Sequence, residues 1–148
     1  MPAKQNQLLA ALPSADFERL LPHLEPVALE PGSAIYESRS DDAYVYFPIA
    51  GNVSLQHVTL DDSPAEIAVV GNEGVVGIAV FMGGEATPGR AVVQSAGRGY
   101  RLKASLLKQE FERHGSLQLL VLRYMQSLVS QMTQAVASYR QHSRSRKT

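Results

Sequence analysis

Residues 44–55 read YVYFPIAGNVSL and residues 65–81 read AEIAVVGNEGVVGIAVF. Short apolar runs broken by Gly-marked turns describe antiparallel strands: one ending at Pro48, a turn at Gly51, a strand over 52–60, an acidic turn at Asp61 and Asp62, and a strand over 66–70. Gly71, Gly74 and Gly77 then interrupt the pattern. Alternation is clearest where Val53 and Leu55 oppose Ser54 and Gln56, and again where Ala91 and Val93 oppose Arg90 and Gln94. One face of each strand is therefore expected in a core that includes Val53, Leu55, Ile67 and Val93. The pattern predicts a small barrel or roll.

Helical signals flank this stretch. Residues 6–12 and 14–24 predict two short helices separated by Pro13, the second with Ser14 as N-cap and Asp16 and Glu18 in its first turn. Val27 to Leu29, a Pro31–Gly32 turn and Ala34 to Glu37 form a hairpin-like entry into the sheet. Gly97 and Gly99 predict a turn into a last strand near 100–102, and residues 104–114 a short helix stopped by Gly115. Ser116 is placed to cap a long helix, SLQLLVLRYMQSLVSQMTQAVASYRQH, with no Gly or Pro. The expected fold is mainly β with flanking helices. Residues 1–115 form an antiparallel β-roll with N-terminal helices, 116–142 a long helix of the same structural domain, and 143–148 a basic tail.

The long helix carries two apolar stripes. Leu117, Val121, Tyr124, Leu128, Met132, Ala135 and Tyr139 recur with a mean step of about 3.67 residues, which predicts pairing with little or slightly right-handed supercoiling. Leu120, Met125, Val129 and Val136 make the second. Two faces need two partners, and a roll covers one of them. The first stripe is the expected homodimer interface, and burial of both stripes within one chain is the alternative.

Composition narrows the chemistry. The chain has 148 residues, 45% of them apolar and 19% charged, enough for one folded domain with its own core. Fourteen basic and fourteen acidic residues cancel, so no overall basic excess points to nucleic acid, although Arg140, Arg144, Arg146 and Lys147 leave the C-terminus locally basic. With no Cys there is no disulfide, thiolate nucleophile or cysteine-held cluster. His23, His57, His114 and His142 are scattered, so no metal site is expected, and no G-x-S-x-G, P-loop or G-x-G-x-x-G element occurs. No catalytic residue and no cofactor is indicated, and the expectation is a protein that is not an enzyme. The N-terminus lacks an export signal and no apolar run approaches membrane-spanning length, which predicts a cytoplasmic protein.

Roll, Gly-marked insertion, hinge helix and long helix, in that order, resemble the sensory domain of the Crp/Fnr family of bacterial transcription regulators. The segments that carry the resemblance are VYFPIAGNVSL (45–55), VVGNEGVVGIAVFMGG (69–84) and LRYMQSLVSQMTQAVASYRQH (122–142). A double-stranded β-helix or jelly roll of the cyclic-nucleotide-binding type is implied, followed by a dimerisation helix. The resemblance also implies a pocket built from a Gly-Glu-hydrophobic turn and an Arg-Ser/Thr-Ala strand start. The matching positions here are Gly77, Ile78 and Ala79, then Arg90 and Ala91, with Ile78 where the ribose-binding Glu would stand, Gly89 where the Arg would stand and Arg90 where the Ser or Thr would stand. Cyclic AMP is therefore not expected to bind in the usual way, and an unidentified small-molecule effector is left open. The glycines serve equally as tight-turn residues in any roll, and Arg90 equally as a surface ion-pair partner. Family members continue into a winged helix-turn-helix, whereas this sequence stops at Thr148, so no sequence-specific DNA binding is expected of it. A stand-alone dimerising protein that pairs with full-length regulators is the competing expectation.

Overall fold

The computed structural model describes residues 2–36, 44–58, 64–77 and 89–146. Among these, five antiparallel strands form one sheet: β1 (Glu25–Leu29), β2 (Ala34–Tyr36), β3 (Tyr44–Val58), β4 (Pro64–Val70) and β5 (Gly89–Lys103). The order is β1-β5-β3-β4, with β2 also on β5. The two long strands, 15 residues each, lie side by side at its centre. Inward-pointing Val45, Phe47, Val53, Ala91, Val93 and Leu102 are at most 2% exposed. Arg90 and Gln94 face outward, as the alternation requires.

Glycine placement departs from the sequence expectation. Gly51 does not turn the chain, and neither do Gly97 and Gly99: β3 and β5 run through them without reversing. Gly51 adopts φ +81, and the β3–β5 register shifts at Pro48/Ala50, Ala50/Asn52 and Asn52/Val53. Across the ladder, a Cβ on Gly97 would collide with the Ala50 carbonyl. A left-handed glycine amid successive register shifts makes a bulge that bends paired strands, so the expected turns are one kink shared by both strands.

The N-terminal helices close one side of the roll. Helix α1 (Gln7–Ala10) is capped by Asn6, whose Oδ1 accepts from the Leu8 and Leu9 amides at 3.0 and 3.1 Å. Asn6 is fully buried, and its Nδ2 donates to the Pro48 and Gly74 carbonyls, both at 2.9 Å. Helix α2 (Ser14–Leu20) has Pro13, not Ser14, at its cap, and a 3-10 turn over Leu21–His23 completes what was expected as helix. Phe17 and Leu20 insert into the core.

Two more helices follow β5: α3 (Ala104–Phe111) and α4 (Ser116–Arg146). His114, with φ +58, makes the break between them that the sequence assigned to Gly115. Ion pairing of Arg19 with Glu110 at 2.8 Å ties α2 to α3. Helix α4 runs past residue 142, into the stretch expected as a tail. Its first half docks on the roll through Leu117, Val121, Tyr124 and Leu128, all at most 7% exposed and part of the common core. Among the described residues no helix is long and apolar enough to cross a membrane.

Candidate functional site

Residues 71–77 are gripped by the N-terminal helices, the sheet and α4 together. From the N-terminal side, Asn6 holds the Gly74 carbonyl and the Gln7 amide donates to the Asn72 carbonyl at 2.7 Å. On the sheet side, Tyr46 and Val76 exchange backbone hydrogen bonds of 3.0 and 2.8 Å. From α4, the Tyr124 ring lies over Gly74 so closely that a Cβ there would overlap it. Within the segment, Glu73 Oε1 accepts from the Gly71 amide at 3.1 Å, and Val75 and Val76 are 1% exposed. A turn fixed from three directions is a rigid platform.

Tyr124 is also an electrostatic oddity. Its hydroxyl is buried and makes no hydrogen bond, although the Val75 peptide lies close by. Burial, with a smaller contribution from the Glu73 carboxylate, pushes the phenol well above its ordinary 10.0, against a slight lowering by the Val75 backbone. An unpaired buried hydroxyl is a liability, so Tyr124→Phe is expected to be neutral or stabilising, by up to about 1 kcal/mol in urea denaturation. The folded phenol binds its proton more tightly than the unfolded one. This contribution is therefore complete below pH 10 and is lost as pH rises beyond it, a dependence the Phe variant should weaken. A loss of more than 1 kcal/mol in the variant at neutral pH would show that the hydroxyl has a partner.

The family-type pocket positions fall in different settings. Gly77 adopts φ +100 and packs against Tyr44 and Val45. Ile78 and Ala79 lie outside the described residues. Arg90 is exposed and opposite Gln56, whereas Ala91 is fully buried opposite Leu55. Adjacent residues of a strand point to opposite faces, so the face that carries Ala91 and Val93 into the core turns the Arg90 side chain away from it.

The stripe expected to face a second copy is mostly covered by the chain itself. Leu117, Val121, Tyr124 and Leu128 belong to the core, and Met132 and Ala135 are half-buried; the Tyr139 side chain is not among those described. The open apolar surface of α4 is another face, with Leu119 52%, Leu122 46%, Val129 58% and Val136 50% exposed. Sequence periodicity found Val129 and Val136 but missed Leu122. Residues 122, 129 and 136 recur every seven, with half-buried Met125 and Met132 between them, which is the a/d spacing of a left-handed coiled coil and not the 3.67-residue step expected.

One further concavity has no counterpart in the sequence expectations. A pocket of about 470 Å³ opens where the β3 kink, residues 71–73 and α4 meet, lined by Asn52, Asn72, Glu73 and Gln131 among others. Gln131 Oε1 accepts from the Val69 amide at 3.2 Å, which satisfies a donor on the exposed edge of β4. Among the described residues no three His, Cys, Asp or Glu side chains cluster as a metal site would require.

No protein-family model matches the sequence, and no curated protein does. Solved structures do match. The regulatory subunit of a cAMP-independent protein kinase A from Trypanosoma brucei superposes with a TM-score of 0.67 at 16% identity, over 93% of this chain and 48% of that one. The fold is that of the cyclic-nucleotide-binding domain. The c-di-GMP responsive global regulator CLP from Xanthomonas campestris shares the cyclic-nucleotide-binding fold with a TM-score of 0.66 at 16% identity, over 82% of this chain and 62% of its own. So does the sensor domain of the transcriptional regulator DNR from Pseudomonas aeruginosa, with a TM-score of 0.64 at 14% identity, over 92% of this chain and 89% of that domain. The chain thus spans about half of the kinase subunit and under two-thirds of CLP, but nearly all of an isolated sensor domain.

Proposed function

We propose that residues 1–148 are the effector-sensing and dimerising module of a Crp/Fnr-like transcription regulator, non-catalytic, and one that does not take cyclic AMP in the usual way. The observation that carries this reading is the double role of α4. One side of the helix is sealed onto a cyclic-nucleotide-binding fold, and the other presents Leu122, Val129 and Val136, a row spaced every seven residues that stays about half exposed. Pairing with a second copy buries Leu122, Val129 and Val136 twice over. Sensing and pairing are the roles assigned to these residues; operator recognition is not.

The effector is the less conventional part. In the family-type pocket, a Glu would hold the ribose and an Arg the cyclic phosphate, whereas here Ile78 stands at the first position and Gly89 at the second, and the neighbouring Arg90 projects from the outer face. Of the neighbours above, one is described as cAMP-independent and one as responsive to c-di-GMP, so proteins with this fold are not confined to cyclic AMP. Loss of a charged acceptor for a buried ribose hydroxyl lowers affinity about ten- to a hundredfold. Calorimetry is therefore expected to find cyclic AMP binding weak or absent. Micromolar binding abolished by Arg90→Ala would overturn this part of the proposal.

One observation favours the competing role of a protein that forms mixed dimers with full-length regulators. Helix α4 contains no Asp or Glu, and Leu119, Gln126 and Thr133 flank the open row without charge. Pairing selectivity in coiled coils comes largely from flanking charges, so this surface discriminates little between its own copy and a related helix. Subunit exchange with a tagged relative, followed by native mass spectrometry, separates the two roles: only homodimers are expected of a dedicated sensor.

A further inference from the structure

The pocket beside Glu73 presents free acceptor oxygens, and its lining carries a single charge, which is negative. Asn52 Oδ1 is buried and has no partner. Glu73 uses Oε1 on the Gly71 amide and keeps Oε2. Gln131 has its oxygen engaged by Val69, which leaves its amide N–H groups as donors. The lining contains one carboxylate and no Lys, Arg or His. Such a wall repels phosphate and offers acceptors to a positively charged donor. At about 470 Å³ the space is of the size that holds a small molecule, with Ile49 and Val69 as apolar wall.

We propose that this pocket binds a small organic cation through a guanidinium or alkylammonium head group, held by Glu73 and the Asn52 carbonyl, with the Gln131 amide donating to an acceptor elsewhere on the molecule. The inference does not rest on the regulator assignment, because the pocket lies outside the positions of the family-type site, Gly77 and Arg90. It does place a ligand against both the 71–73 segment and α4. Occupancy therefore bridges the roll and the pairing helix.

Titration of the isotope-labelled full chain with agmatine and with butylammonium, read by amide chemical shifts, tests this. Saturable shifts are expected at Asn52, Gly71, Glu73 and Gln131, weakened by added salt and not produced by inorganic phosphate. Glu73→Gln keeps an oxygen for the Gly71 amide but removes the charge, and is expected to weaken binding about tenfold. Asn72→Asp adds a carboxylate to the rim and is expected to tighten binding about threefold. Shifts of the same amides on raising protein concentration, without either probe, would assign the head group to an arginine of a second copy and overturn the small-molecule source. Absence of saturation into the millimolar range, phosphate binding at these residues, or Glu73→Gln binding as tightly as the wild type would overturn the proposal. Cyclic AMP calorimetry is independent of all three outcomes.

Discussion

Val129→Asp is expected to give a folded monomer and Leu128→Asp an unfolded chain, although the two positions are adjacent. Val129 is 58% exposed and Leu128 7%, so the same carboxylate meets water in one case and the core in the other. At Leu128 the lost side chain alone costs about 2–5 kcal/mol, and burying an unpaired charge adds several more. That sum is comparable to the whole stability of a typical domain, about 5–15 kcal/mol. At Val129 the isolated chain feels roughly 0.5 kcal/mol or less. In a paired seam, however, symmetry brings two carboxylates into an apolar row. Sedimentation velocity and thermal circular dichroism on both variants read the two effects separately. A wild type that sediments only as monomer at micromolar concentration removes the dimer; a Leu128→Asp variant that melts like the wild type removes the docking of α4 on the roll.

The second large effect is expected at Asn6. Replacement by alanine strands two helix-cap amides and the carbonyls of Pro48 and Gly74, in a fully buried site. Loss of the cap is worth about 1 kcal/mol and each buried unpaired group about 1 kcal/mol or more. A total of about 3–4 kcal/mol lowers the melting temperature by roughly 10 °C. Asn6→Asp keeps the cap acceptor but sets a buried carboxylate against the Pro48 and Gly74 carbonyls, so it is expected to be at least as destabilising as alanine. If alanine shifts the transition by less than 2 °C or so, the N-terminal clamp on residues 71–77 is not a stabilising element.

Local signals in the sequence reached the sheet but not its joints. Alternation identified Val53 and Val93 as core-facing, because a pleated strand leaves a period of two. Leu55 and Ile67, expected beside them, are only half-buried, and in β4 it is Ala68 and Val70 that enter the core. Gly51, Gly97 and Gly99 were read as turns because a left-handed or crowded glycine marks a bulge and a reversal alike; only the partner strand distinguishes them. The same limit applies to α4. Periodicity located an apolar stripe through Leu117, Val121, Tyr124 and Leu128, but a stripe does not say whether the roll or a second copy covers it. Leu119 and Leu122 interrupted the pattern and so went unassigned.

The site was legible only where it followed a family-type arrangement. Gly77 has a positive φ and Ala91 lies on a strand, and strand parity would have placed Arg90 on the face opposite Ala91. Asn52, Glu73 and Gln131 gave no signal, because their proximity depends on the β3 kink and on where α4 lands. Asn6 was visible as a residue at the start of a helical pattern. Its two bonds across 42 and 68 residues of chain were not.

The break at His114 gives α4 a mechanical property. The helix leaves a single left-handed residue, touches the Gly74 turn at Tyr124, about 15 Å along, and ends at Arg146, about 48 Å along. A rigid rotation about His114 therefore moves the far end roughly three times as far as the contact point, so a 1 Å lift of the turn beneath Tyr124 becomes about 3 Å at Arg146. The helix is a lever with its fulcrum at one end and its load at the other, and the tyrosine that rests on glycine is where force would enter it.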